Sequence, residues 1–346
     1  MRLVGLALGL MLALAAPLLA QEIEDHRVFP GTGPQLLRVL STTDLSVFEP
    51  YIRQFQRQNP EIGVDYTVMS SATLHRAVRE GAQADLVMSS AMDLQFQLVN
   101  DGFAGRYTSD AVLALPDWAR WRDLIFAFTT EPAVVVINSA RFAGLPLPAT
   151  RQELITLLRE HPERFMGAIG TYDVRDSGLG YLFATQEDRS TDAFWRLNEV
   201  LGRLEPKLYC CSAQMIEDVA DGRLALAYNV LGSYAAEELA RGSDGRVQIL
   251  RMQDFANAML RTVFMLKGAE NRAAAGAMID MLAGLALRDA PGDWPLPPLG
   301  LSDAEQATGL APIRLGPALL TYLDPLNRRA FLAEWGNALE QGEVAR

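Results

Sequence analysis

Leu36-Leu37-Arg38-Val39-Leu40-Ser41-Thr42-Thr43-Asp44 opens the regular part of the chain and sets its architecture. The first five residues read as a short apolar strand. The next four are the hydroxyl and carboxylate types that start helices. Val47, Phe48, Tyr51, Ile52 and Phe55 then fall at helical spacing, and Asn59-Pro60 stops that helix. Val64 to Met69 alternates as a strand, and residues 72–80 follow as a helix. Asp85 to Met88 is a third strand running into Ser89-Ser90-Ala91, and residues 94–100 form a third helix, closed by Asp101-Gly102. Strand and helix thus alternate, which implies a parallel sheet covered by helices. Ligands of such sheets sit at the carboxyl ends of the strands. The helix N-termini found there offer free N–H groups that suit anions.

Working downstream, Ala133-Val134-Val135-Val136-Ile137-Asn138 is the strongest β run, and a second α/β set follows it. That set contains helices over 151–160, from Gly178, over 192–204 and over 213–220. Strands are expected over 166–169, 224–228, 247–250 and 261–266. The expected fold class is therefore α/β, with two lobes, each a mixed sheet flanked by helices, and a cleft between them. Residues 36–130 with 265–346 are assigned to the first lobe and 131–264 to the second. The hinges are expected near 133–138 and 251–263.

Working upstream, residues 21–35 are charged and turn-rich and read as a loose lead-in. Before them stand Met1-Arg2, an apolar run from Leu3 to Leu19, and Ala20. This is the layout of a secretory signal peptide, residues 1–20, cut near Ala20. Kept in place, the same run is long enough to act as an anchor. The destination is the periplasm.

The chain has 346 residues, is 49% hydrophobic and carries a formal charge of −11, or −12 once Arg2 is lost. Such acidity argues against a nucleic-acid partner. Only 3 His are present, and no zinc-ligand spacing occurs. The 2 cysteines, Cys210 and Cys211, are adjacent. In an oxidising compartment they bond to each other or to another molecule, or stay as buried thiols. The sequence contains no Gly-x-Ser-x-Gly elbow, no His-Glu-x-x-His and no phosphate loop. The reading is of a protein that is not an enzyme and needs no cofactor.

Four local stretches carry a family resemblance: Leu86 to Ala91, Asp176-Ser177-Gly178, Ala227 to Tyr234, and Phe264 to Asn271. In this order the chain resembles periplasmic solute-binding proteins of the type II class, in the branch that binds iron(III) and organic phosphates. The resemblance implies a receptor that closes on a small anionic ligand and presents it to an ABC permease, or to the outer domain of a sensor kinase, as a monomer. In ferric-binding relatives two neighbouring tyrosines hold the metal, and here the pair reads Ser233-Tyr234. Iron(III) prefers anionic oxygen ligands. With one phenolate left, Tyr234, an organic phosphate or carboxylate ranks above iron, and no metal site is assigned.

The candidate ligand residues are Thr42, Thr43, Ser89, Ser90, Ser177, Gly178 and Ser212, which bear hydroxyls or backbone amides at helix starts. Each hydroxyl also reads as a plain helix cap. Arg175 offers a bidentate guanidinium, or a surface ion pair with Asp173 or Asp176. Asn229, Ser233 and Tyr234 follow a strand, where a ligand or the backbone satisfies them. Cys210-Cys211, if bonded, form an apolar plate beside the cleft.

Overall fold

The computed structural model describes residues 23–243, 245–288, 294–300 and 310–340, so the leader 1–20 lies outside the described residues. The first lobe starts with β1 (Ile23–Phe29), β2 (Gln35–Ser41), α1 (Leu45–Gln58), β3 (Ile62–Met69) and α2 (Ser71–Arg79). It continues with β4 (Leu86–Ser89), α3 (Met92–Asn100), the short α4 (Asp110–Leu113) and the two-residue β5 (Arg120–Trp121). β6 (Ile125–Asn138) crosses to the second lobe. There follow α5 (Arg151–Glu160), α6 (Pro162–Phe165), β7 (Ile169–Tyr172), α7 (Gly178–Ser190) and α8 (Ala193–Arg203). The lobe is completed by β8 (Lys207–Tyr209), α9 (Ser212–Ala220), β9 (Leu226–Leu231), α10 (Gly232–Glu238) and β10 (Val247–Leu250). β11 (Ala256–Met265) crosses back, followed by α11 (Arg272–Ala286), β12 (Leu310–Pro312) and α12 (Pro325–Leu339).

β6 belongs to two sheets in succession. Phe126 to Pro132 pair antiparallel with β11. Ala133 to Ile137 pair with β9, and Val135 to Asn138 with β10. The handover falls at Pro132, which has no N–H to give a ladder. All fourteen residues of β6 are buried, which is why its second half, Ala133 to Ile137, reads as continuously apolar instead of alternating. In the first lobe β2 lies parallel to both β3 and β4, and the crossovers required for that are α1 and α2. In the second lobe β7 lies parallel to β8 and β9. The sheets are thus parallel at their centres and antiparallel along the two crossing strands, the mixed arrangement expected.

Three assignments differ from the sequence reading. Residues 23–29, expected as a loose lead-in, form an edge strand antiparallel to β3. Six of the seven side chains are exposed, so the strand is held by its backbone ladder and leaves no apolar pattern to read. Charged edges of this kind also resist pairing with other chains. The strand expected over 166–169 begins at Ile169, because Met166 caps α6 and Gly167 turns with φ +63°. α12, grouped with the first lobe by sequence, packs on α8 of the second. Phe331 and Trp335 share a core with Phe194 and Leu197.

The α8–α12 contact is close because Gly202 has no side chain. A Cβ there would fall on the carbonyl oxygen of Ala338. Gly202→Ala is expected to lower the unfolding free energy by about 1–3 kcal/mol through overpacking, as read in urea denaturation. An unchanged midpoint would show that α12 is not held there.

Candidate functional site

The starts of four helices converge between the lobes. From the first lobe come α1, with Asp44 at its N-cap, and α2, with Ser70. From the second come α7, with Ser177, and α9, with Cys211. All four cap residues line one cleft of about 550 Å³, counting the solvent in its mouth. Ser70 and Ser177 each accept a hydrogen bond from their own helix, from Thr73 N–H and Gly180 N–H. Asp44 and Cys211 make no such cap bond.

Arg261 of β11 lies at the floor of the cleft and is wholly buried, as is Glu131 of β6. The two strands are antiparallel neighbours here, and the guanidinium grips both carboxylate oxygens, Nε to Oε1 at 2.9 Å and Nη2 to Oε2 at 3.1 Å. Nη1 donates to Thr43 Oγ1 at 2.7 Å. Thr129 donates to Glu131 Oε1 at 2.8 Å, and Ser233 donates to Oε2. Burial opposes the Arg261 charge, but the Glu131 carboxylate outweighs it and holds the guanidinium protonated. Burial also pushes up the Asp44 carboxyl, against the Tyr234 hydroxyl and Arg261, which favour its ionised form. The phenols of Tyr172 and Tyr234 are raised by burial in the same way.

The lobes touch across the cleft. Gly178 N–H donates to Ser71 Oγ at 2.9 Å, and Asp44 N–H donates to Tyr234 Oη at 3.3 Å. A Cβ on Gly178 would stand 2.7 Å from both Leu94 Cδ1 and Ser71 Oγ. Beside this seam Asp93 of α3 is buried, and burial pushes its carboxyl up to about 7 against the Leu94 N–H and Arg328. Tyr181 of α7 and Arg328 of α12 are its charged or titratable neighbours across the seam.

Of the residues singled out by sequence, the structure brings Thr42, Ser90, Ser177, Ser212, Tyr234, Cys210 and Cys211 to the cleft. The two sulfurs are bonded to each other. Thr43, Ser89 and Ser233 stand behind that surface. Ser89 Oγ accepts from Ala91 N–H at 3.1 Å, and the other two hold the ion pair. Gly178 is at the seam. Two residues lie elsewhere. Arg175 is exposed, paired with Asp173 and Glu340 and set over the Trp335 ring. Asn229, with φ +61°, donates to Glu187 Oε2 at 2.8 Å inside the second lobe.

Sequence reasoning passed over Arg261, Glu131, Asp44, Ser70, Ser71 and Tyr172. Arg261 and Glu131 left a signal, since each is the one charged residue of its strand, and buried charges come in pairs. Ser70-Ser71 repeat the pattern of hydroxyls after a strand.

Two lobes on two crossing strands, with hydrogen-bond donors facing each other across a cleft, are the architecture of a two-lobed binding protein. The profile of the bacterial extracellular solute-binding proteins matches residues 37–290, and the chain belongs to that family. It is similar to the substrate-binding protein of an ABC transporter from Agrobacterium tumefaciens, at 32% identity over 91% of this chain and 98% of that one, with a TM-score of 0.84. More distant likenesses share the fold. They include the periplasmic binding protein AfuA from Actinobacillus pleuropneumoniae with fructose-6-phosphate bound (16% identity, 89% and 99% covered, TM-score 0.70). Iron-bound HitA from Pseudomonas aeruginosa is another (13%, 88% and 99%, 0.64). Comparison with curated proteins gives no match. The protein is thus an extracytoplasmic solute-binding receptor, and among the described residues no helix is long and apolar enough to cross a membrane.

Two outcomes follow from the buried charges. Arg261→Met leaves Glu131 buried and unpaired, and is expected to cost about 3–5 kcal/mol in urea denaturation. Adding Glu131→Leu should restore most of the loss, and a purely additive pair would refute the coupling. For Asp93, the folded state keeps a proton that the unfolded chain has released between about pH 4 and pH 7. Stability should therefore fall by a few kcal/mol as pH rises through that window and then level off. Asp93→Asn should remove this part of the slope.

Proposed function

We propose that the protein closes on a small organic anion, a phosphate or a carboxylate, and delivers it to an ABC importer. The observation that carries this is the meeting of four helix N-termini, from both lobes, on one cleft floored by Arg261. Each such terminus concentrates positive potential and unsatisfied N–H groups. An anion held between them is bound better by the closed arrangement than by either lobe alone. Closure is then a ligand-driven population shift about β6 and β11. Glu131 and Thr43 take three of the guanidinium's N–H bonds, and the planar fork carries more than that.

The similar Agrobacterium protein serves an ABC transporter, and AfuA holds a sugar phosphate; both support the reading. A ferric site draws less support. Ser233, where ferric-binding relatives carry a tyrosine, spends its hydroxyl on Glu131, and Tyr172, which also lines the cleft, is bonded to Ser212. On this reading residues 1–20 are the export signal, and the mature protein is a periplasmic monomer without catalytic activity.

Thermal-shift measurements on the mature protein test this with glycerol 3-phosphate, fructose 6-phosphate, 3-phosphoglycerate, citrate and ferric citrate. A ligand at a hundred times its Kd adds about 2.7 kcal/mol to stability. A phosphate ester or carboxylate is expected to give such a shift. Stabilisation by iron alone, with a tyrosinate colour, would overturn the anion. Gly178→Val, which wedges the seam, should weaken binding by about tenfold or more, a loss of ~1.4 kcal/mol, in a protein that circular dichroism shows to be folded.

A further inference from the structure

Only Cys210 and Cys211 stand between the end of β8 at Tyr209 and the start of α9 at Ser212. Their sulfurs are bonded to each other. Both line the cleft, and so do Ser212 and Ala213, making four consecutive residues of the second lobe's wall. Cys210 is exposed and Cys211 half-buried. The turn is fixed at its far side. Ser212 Oγ is bonded to the Tyr172 hydroxyl and accepts from Leu231 N–H at 3.1 Å.

Cys211 occupies the N-cap of α9, where a Ser, Thr, Asn or Asp would fold its oxygen back onto the first-turn N–H groups. Ser70 and Ser177 do so on α2 and α7. Cys211 does not. A sulfur committed to its neighbour has no oxygen to offer and no freedom to swing across the helix end. The disulfide therefore presents two things to the cleft. One is a compact apolar face beside hydroxyl-rich neighbours. The other is a helix start whose N–H groups its own cap does not consume.

We propose that the Cys210–Cys211 disulfide is a ligand-binding element, its sulfurs packing on the carbon skeleton of the bound solute, and that solute affinity follows its redox state. The proposal rests on the cleft being the solute site. Reduction by an external dithiol balances simply. The S–S bond breaks, the two sulfurs take up two electrons and two protons and become thiols, and the dithiol closes to its own disulfide. The released side chains regain rotation, and the wall loses its shape.

The test titrates the oxidised mature protein, the same protein after dithiothreitol, and Cys210→Ala/Cys211→Ala, following tryptophan fluorescence. Probes are the phosphate esters named above and the low-molecular-mass metabolite fraction of a bacterial culture. Circular dichroism checks that reduced and variant proteins stay folded. The proposal expects half-saturation at about tenfold or higher concentration in both reduced and variant protein, or ~1.4 kcal/mol. It expects no further effect of dithiothreitol on the variant, and slower reduction of the parent when the probe is bound, read by thiol alkylation and mass. Cys211→Ser, which adds an oxygen cap, should weaken binding while raising the ligand-free melting point. Equal affinity in oxidised, reduced and variant protein overturns the proposal and leaves the cleft reading standing. If only the metabolite fraction binds, and still binds after its anions are removed on an anion-exchange resin, the anion reading is overturned, and the disulfide is then judged on that fraction by the same comparison. If neither esters nor fraction bind the oxidised protein, both readings fall.

Discussion

The ion pair between Arg261 and Glu131 is the constraint on which the rest of the molecule depends. Each residue sits in one of the two strands that join the lobes, and neither charge reaches solvent. Burying an ion costs several kcal/mol, which pairing recovers only if the remaining donors and acceptors are satisfied. Here Thr43, Thr129 and Ser233 complete the set. Those three come from the turn before α1, from β6 and from the start of α10. The pair thus ties both lobes to one point, and any bending of the strands must occur around it. It also sets a permanent positive group at the base of the cleft, with its charge oriented by Glu131.

The walls above that point are built differently. Among the described residues, the charged side chains lining the cleft besides Arg261 are Glu24, Asp44 and Asp176, so, on the proposed anion reading, attraction does not come from a surplus of cations. It comes from oriented backbone N–H groups, which carry no counter-charge and need no reorganisation on binding. Such a site grips by direction and distance. That suits a receptor whose overall charge of −11 repels anions at long range. The half-buried Asp44 adds an acceptor beside these donors, and burial makes its neutral form easier to reach.

Much of this was legible before any coordinates. The α/β class followed from strands and helices alternating over residues 36–100, and the second lobe from the β run at Ala133. The hydroxyl-bearing turns at Thr42, Ser90, Ser177 and Ser212 were marked as cleft residues by one rule, that strand ends feed helix starts. Two features had no local pattern to read. β1 is held by its backbone, with exposed charged side chains. The attachment of α12 to the second lobe depends on Gly202 meeting Ala338, a contact between residues far apart in sequence. Of the two readings of Arg175, a ligand grip or a surface ion pair with Asp173 or Asp176, the structure holds the second. The backbone position of Arg175 turns it onto Asp173, which takes the guanidinium through both carboxylate oxygens.

On the reading that the lobes close on a ligand, the seam between them is where closure is balanced. Closing gains the Gly178–Ser71 hydrogen bond and apolar contact at Leu94. Beside it Asp93 is buried, and burial raises its carboxyl to about 7. A buried polar group without full partners loses its hydration for little return. The seam is also apolar, since Leu179, Leu182 and Phe183 of α7 share one core with Leu74 and Met92 of the first lobe. On the proposed function, a solute that bonds to both walls shifts the balance between open and closed lobes only by what it gains from both walls over one. Donors on two lobes and a fixed ion pair between the crossing strands are the features through which closure would report occupancy.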